Sequence, residues 1–289
     1  MDIKKVVEDA VVELLRKTSI ELSPDVMEAL NNAYKNEVKE LGKSQLEAIL
    51  ENIRLAKELN KPICQDTGLM IFYVTIGNDF GDFTFIPEAL VAATRRATAD
   101  IPLRPNSVHP LTGHNPGDNT GVGVPIIHYD ITTGDCIEIK ALPKGGGAEN
   151  MSALAMLTPS AGVKGIKKFV IEKVIASGGK PCPPTVIGLG IGGKADYVMT
   201  LAKKALLRPI NQRHPDKLIA DLEVELLRMV NATGVGPMGL GGNYTCLGVN
   251  IEYAYRHPAS FPVGINMQCW ANRRSAVRIQ RDGTTEYMW

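Results

Sequence analysis

The hydrophobic period of this chain changes at Pro62, and that change excludes a fold built from one kind of element. Residues 1–60 carry helical spacing. VVEDAVVELLRK comes first, then PDVMEALNNAYKNEV, then SQLEAILENIRLAKELN with Leu46, Ile49, Leu50 and Ile53 near one face. Ser23-Pro24 reads as an N-cap followed by proline at the first helical position. From residue 69 the texture differs. LMIFYVTIG is a short β-prone run, and PEALVAATRRATAD is helical. VPIIHYDI, TTGD and CIEIKAL read as a β-hairpin. KGGGAEN opens a helix at MSALAML, and VKGIKKFVIEKVIAS is an amphipathic helix closed by Gly178-Gly179. TVIGLGIGG and CLGVNIEYAY are strands, with helices over roughly 194–207 and 215–232 between them. This interleaving predicts a mixed α/β (α+β) fold, a helical N-terminal layer over helices and strands. No internal repeat or low-complexity linker interrupts it.

The totals exclude several classes of function. A length of 289 residues supports one large core or two modest ones, and a net charge of +1 gives no field for nucleic acid or an anionic membrane. No apolar run approaches a membrane span. MDIKKVVEDAVVELL lacks the apolar core and cleavage site of a signal peptide, so a cytoplasmic protein is expected. Five cysteines in so long a chain argue against a disulfide framework.

The cysteines divide into two kinds. Cys136 shares a strand face with Glu138 and Lys140, opposite Ile137, Ile139 and Ala141, and reads as a surface or edge residue. Cys246 opens a strand on the face opposite Leu247, Val249 and Ile251 and reads as a small structural side chain. Cys64, Cys182 and Cys269 instead lie in or beside irregular backbone: ICQDTG, KPCPPT and MQCWANRR. Lone cysteines are commonly structural, and no C-x-x-C pair marks a closed zinc site. Cys-Pro also recurs beside iron–sulfur ligands. Three thiolates on a [4Fe–4S] cluster would leave one iron open, able to act as a Lewis acid on a C–OH bond.

Several loops have the chemistry of anion sites. Lys144-Gly145-Gly146-Gly147 runs into a helix start, where backbone N–H groups and a cation suit a carboxylate or phosphate. Arg104 sits in the proline-rich loop 102–121, and Arg273 and Arg274 follow Cys269 closely. Two cationic clamps would fit a dicarboxylate. His109, His114 and His257 lie in proline-flanked loops without metal-binding spacing. Gly188 to Gly193 fits G-x-G-x-x-G, the mark of a nucleotide-binding oxidoreductase. No second strand ending in an acid follows, so close strand–helix packing is the expectation for these glycines.

Taken in order, CQDTG, R-x-NSVHPLTG-x-N-x-GDNTG, KGGG-x-EN, PCPP, G-x-GIGG, GPMGLGG and H-x-AS-x-PV followed by CW-x-x-RR resemble one known family. It is that of class I, iron–sulfur fumarate hydratases and L(+)-tartrate dehydratases, in their α subunit or N-terminal domain. The resemblance spans about residues 10–275. It implies that Cys64, Cys182 and Cys269 hold a [4Fe–4S] cluster. It implies that Gln65 and Asp66 face the substrate, and that Arg104, Gly147 and His257 surround its carboxylates. Lys144 and Gly146 join them on the anion-loop reading, and Asp66 and His257 are the catalytic candidates. The family's activity implies reversible hydration of fumarate to malate, a reaction of the tricarboxylic acid cycle, with tartrate dehydration as the alternative. A metal-free scaffold subunit is a further reading. A β subunit is implied as partner, in a dimer of αβ units that is inactive without it. On this view residues 1–289 form one catalytic domain. Residues 1–60 are its helical part, 61–275 bind cluster and substrate, and 276–289 are a tail toward the β subunit.

Overall fold

A computed structural model describes residues 2–289. In chain order its helices are α1 (Ile3–Ile20), α2 (Pro24–Asn36), α3 (Glu40–Glu58), α4 (Ile86–Asp100), α5 (Gly146–Glu149), α6 (Gly162–Ser177), α7 (Ala195–Ala205) and α8 (Lys217–Asn231). Its strands are β1 (Ile71–Gly77), β2 (Ile126–Thr132), β3 (Cys136–Ala141), β4 (Ala153–Leu157), β5 (Thr185–Gly193), β6 (Cys246–Arg256), β7 (Phe261–Gln268), β8 (Ser275–Gln280) and β9 (Thr285–Met288). The fold is α+β, with the expected helical N-terminal part. The chain divides into two compact units. One is Met1–Ser23, Asn52–Gly146 and Arg273–Trp289, and the other is Pro24–Glu51 and Gly147–Asn272. Among the described residues no helix is long and apolar enough to cross a membrane.

The first unit is built on a sheet of order β2-β1-β3-β8-β9. β1 pairs parallel with β2 and antiparallel with β3. The expected hairpin is therefore absent. Both of its strands form, but β1 lies between them. The reason is burial. β1 is buried at almost every position, whereas β2 is largely exposed, so β1 takes an interior place and β2 an edge. Leu14, Leu15, Phe72, Val74, Leu90, Ile137, Ile139 and Val277 form one core from α1, α4 and this sheet. Residues 275–288, which carried no strand expectation, pair as β8 and β9, and the Tyr287 hydroxyl donates to the Ala10 carbonyl at 3.3 Å.

The second unit contains a sheet of order β4-β7-β5-β6. Its inner strand β7 also carried no expectation. Phe261, Val263, Ile265 and Met267 enter the core with Ile187, Leu189, Val249 and Leu226. β4 replaces the helix expected at MSALAML. Its residues favour helices, but Ala153 to Leu157 pair antiparallel with Ile265 to Phe261, and tertiary pairing overrides a local propensity of a few tenths of a kcal/mol, roughly. α2 begins at Pro24 as expected, yet the Ser23 hydroxyl is buried without a partner and makes no capping bond.

Cys246 requires a correction. Thr185 pairs with Cys246 but Val186 pairs with Gly248, so Leu247 is an extra residue that reverses the alternation. The thiol joins Val249 and Ile251 in the core instead of the opposite face. Burial pushes it up to about 12, so it stays protonated and inert at neutral pH. Cys136 is half-buried while Ile137, Ile139 and Ala141 are buried, as expected.

Candidate functional site

In the first unit three of the singled-out segments are tied together by hydrogen bonds. The turn after α3 is fixed where Ile63 N–H donates to the Ser19 carbonyl at 2.9 Å and the Asn52 amide donates to Ile63 at 2.8 Å. Cys64 follows, half-buried, and Gln65 is exposed. Asp66 accepts from Gly68 N–H at 3.1 Å on one oxygen and from Gly146 N–H at 2.8 Å on the other. Leu69 and Lys144 exchange backbone bonds at 3.1 Å each. CQDTG and KGGG thus face each other across a single bridge.

This approach dictates the glycines. A Cβ on Gly68, at φ +80°, would lie 2.6 Å from Lys144 N, and one on Gly145 would lie 2.7 Å from the Asp66 carboxylate. The KGGG loop does hold an anion, but within this chain that anion is Asp66. The Gly146 N–H is engaged by it, and the Lys144 side chain is 4% exposed rather than presented to solvent.

Arg104 is exposed. Its backbone is pinned, because the Thr67 hydroxyl and the Asn119 amide donate to its carbonyl at 3.0 and 3.1 Å. Asn106 links the same groups, donating through its side chain to Thr67 and through its backbone to Asn119. Asn119 is buried at φ +59°, a conformation asparagine tolerates better than most residues. Thr67, Asn106 and Asn119 are positioning residues that sequence reasoning did not single out. The only hint was polar side chains with a single hydrogen-bonding habit repeated through one loop.

In the second unit Cys182 and Cys269 adjoin. Cys182 has φ +54°, a strained value for a residue with a Cβ, and such outliers cluster at functional sites. Its N–H donates to Gly179 at 3.0 Å, and its carbonyl accepts from Trp270 N–H, the residue after Cys269, at 3.1 Å. Met238 N–H donates to Pro183 at 2.7 Å, and a Cβ on Gly239 would fall 2.4 Å from the Gly179 Cα. The PCPP and GPMGLGG loops are therefore pressed backbone to backbone. A Cβ on Gly147 would lie 3.4 Å from the Lys180 carbonyl, so the last glycine of KGGG approaches the PCPP segment.

His257 is exposed at the end of β6, and its Nδ1 accepts from Ala259 N–H at 3.1 Å. That bond assigns the proton of the neutral ring to Nε2, which is left as a donor. Arg273 and Arg274 are buried, and Arg273 Nε and Nη1 have no hydrogen-bond partner. None of the five cysteines is in a disulfide.

Cys182 and Cys269 are the ligand type that a soft metal centre would take. Cys182 and Cys269 are half-buried, neither is in a disulfide, and their backbones are bonded one residue apart. Asn272, three residues past Cys269, is fully buried with both amide atoms unpartnered, as a residue supporting a bound group would be. Cys64 belongs to the other unit. Among the described residues no three His, Cys, Asp or Glu side chains are gathered as one ligand set.

The G-x-G-x-x-G run lies inside β5, not at a strand-to-helix turn. A Cβ on Gly188 would be 2.1 Å from the Ala202 carbonyl, and one on Gly190 would be 2.0 Å from the Val198 carbonyl. α7 fills the space a pyrophosphate would need, which is the close packing expected from the sequence.

Comparison with known proteins agrees with this assembly of segments. The family model described as Fumarate hydratase (Fumerase) matches residues 8–278. A chain of Methanocaldococcus jannaschii, provisionally named L(+)-tartrate dehydratase subunit alpha, is 51% identical over 280 residues, 96% of this chain and 98% of its own. The L(+)-tartrate dehydratase subunit alpha of Escherichia coli strain UTI89 is 38% identical over 93% of this chain and 89% of its own. That of Escherichia coli strain K12 is 37% identical over the same shares.

Proposed function

The chain belongs to the fumarate hydratase family as a hydro-lyase α subunit, and from that premise we propose that it acts, with a β subunit, in the reversible hydration of fumarate to malate. The observation that carries this reading is the family match over residues 8–278, which takes in every motif from CQDTG to CW-x-x-RR. A second reading, dehydration of L(+)-tartrate, is favoured by the names of the relatives. Malate and tartrate are both four-carbon dicarboxylates with a hydroxyl beside a carboxylate, so the same side chains serve either.

Cys64, Cys182 and Cys269 would hold a [4Fe–4S] cluster. Bound by only three thiolates, such a cluster supplies a Lewis acid for the substrate hydroxyl. The chain's own residues then bind and orient. Arg104, exposed on a pinned backbone, pairs with one carboxylate. The exposed Gln65 and Gly147, in the first turn of α5, offer amide donors to the substrate. Lys144 contributes positive charge from beneath the loop. His257 donates from Nε2. Asp66, held by two N–H groups, orients the base that removes the C3 proton, and the β subunit supplies that base. The assembly would be a dimer of αβ units in the cytoplasm, with residues 1–289 as one catalytic domain of it.

The direct test is an anaerobic assay of the chain co-expressed with its β subunit, on malate, fumarate and L(+)-tartrate. Turnover of malate and fumarate above tartrate is expected. Turnover of tartrate alone would establish the second reading, and turnover of none would sink both.

Asp66→Asn provides a finer test. The new amide turns an N–H group toward one of the two backbone donors, so one of the bonds to Gly68 or Gly146 is lost. Turnover should fall about 100-fold with iron content unchanged. Near-normal turnover would remove Asp66 from the mechanism.

A further inference from the structure

We propose that the loop of residues 105–125, together with the outer side of β2, is the surface on which the β subunit docks. This rests on the two-subunit reading above. The loop contains the most exposed apolar side chains of its unit. Leu111 is 91% exposed, Val122 is fully exposed and Val108 is 53% exposed. On the adjoining edge strand Ile131 is 72% exposed and Tyr129 is 45% exposed. Apolar residues scattered singly on a surface need no explanation, whereas here five exposed ones fall within residues 108–131.

The loop is held rigid without secondary structure. His109 N–H donates to the His114 carbonyl at 2.8 Å, and Gly113 N–H donates back to the His109 carbonyl at 2.9 Å. The His109 ring Nδ1 accepts from Leu111 N–H and Thr112 N–H, both at 3.2 Å. The Asn115 amide donates to Pro105 at 2.9 Å, and its oxygen accepts from Gly117 N–H at 2.8 Å. At the base, the Asp118 carboxylate accepts from Arg95 at 2.8 Å. A loop fixed in this way loses little conformational freedom when a partner covers it. Histidines aside, the only charged side chain in residues 105–125 is Asp118, and Arg95 already neutralises it. An uncharged, apolar, preformed surface is the composition of an interface core.

The occupant follows from what the loop carries at its root. Arg104, the exposed cation assigned to the substrate, is the residue immediately before it, and its carbonyl is bonded to Asn119 within the loop. A chain seated on residues 105–125 is thereby brought beside Arg104, where a two-chain enzyme must complete one site. The relatives are named as α subunits, and the partner that name implies is a β subunit. A second copy would bring another Arg104 and no base.

The test uses the full chain co-expressed with its β subunit, comparing wild type with the double variant Leu111→Asp, Val122→Asp. Affinity measured by sedimentation should weaken about 30-fold or more, with the melting temperature of the α chain unchanged. Val163→Asp, at an exposed apolar position in the other unit, should leave assembly intact. A double variant that keeps its fold and assembles with wild-type affinity overturns the docking surface while leaving the two-subunit reading standing. A wild-type chain that forms no complex with the β subunit overturns both. Loss of self-association, with β-subunit binding intact, assigns the surface to a second copy and overturns the proposal.

Discussion

Gly190→Ala is expected to destabilise the chain by about 3 kcal/mol or more and to lower its melting temperature by roughly 10 °C. The added methyl would stand 2.0 Å from the Val198 carbonyl and 2.9 Å from Ala202 N. Both are backbone atoms of α7, so no side chain can turn away to relieve the overlap. The helix must move off the sheet, and Gly264 shows how closely it lies there, since a Cβ on that residue would be 3.0 Å from the same carbonyl. Gly146→Ala is the matching control, because its added Cβ meets nothing within 4 Å. Thermal melts of the two variants decide the matter. If Gly190→Ala melts within about 2 °C of wild type, the packing account is wrong and the nucleotide reading of these glycines regains its place.

Cys182→Ser is expected to abolish iron retention. The thiol is held at φ +54° by a bond on each side of its peptide, and it adjoins Cys269 through Trp270. Serine fits the same backbone, so folding is preserved while the soft ligand is lost. Prepared anaerobically with the β subunit, the wild-type complex should hold roughly four irons per α chain and give a three-iron paramagnetic signal after mild oxidation. Cys182→Ser should hold less than about one iron, and Cys269→Ser and Cys64→Ser should follow it. Cys136→Ser should match wild type, because that residue lies on β3 among Glu138 and Lys140. Full iron in all three loop variants would end this ligand assignment, and no iron in the wild-type complex would leave the scaffold reading in its place. Loss of iron in Cys136→Ser alone would misassign the ligands.

Much of the architecture was legible in the residue order. The helical period up to Pro62 gives α1, α2 and α3, because an amphipathic stripe in that register has one way to bury itself. Gly178, at φ +52°, closes α6 where the chain needs a residue without a Cβ. The glycines of β5 declared close packing, since the acid and second strand of a dinucleotide site do not follow them. The irregular settings of Cys64, Cys182 and Cys269 set them apart from Cys136, whose alternating neighbours marked a strand.

Other features depend on partners far away in the chain and are written in no local pattern. β1 separates β2 from β3 because it is the more apolar strand, a comparison between segments rather than a property of either. β4 is a strand only because β7 lies beside it. One extra residue at Leu247 turns Cys246 inward, and a bulge is visible only against the opposing strand. The KGGG loop looked open to a ligand, yet Asp66, eighty positions earlier, accepts its Gly146 N–H. Sequence alone determines which segments can be helix, strand or loop, because those preferences act between neighbours. Which strand sits inside, which thiol is buried and which anion fills a loop were settled by tertiary structure, because burial and hydrogen-bond pairing are assigned by competition across the whole chain.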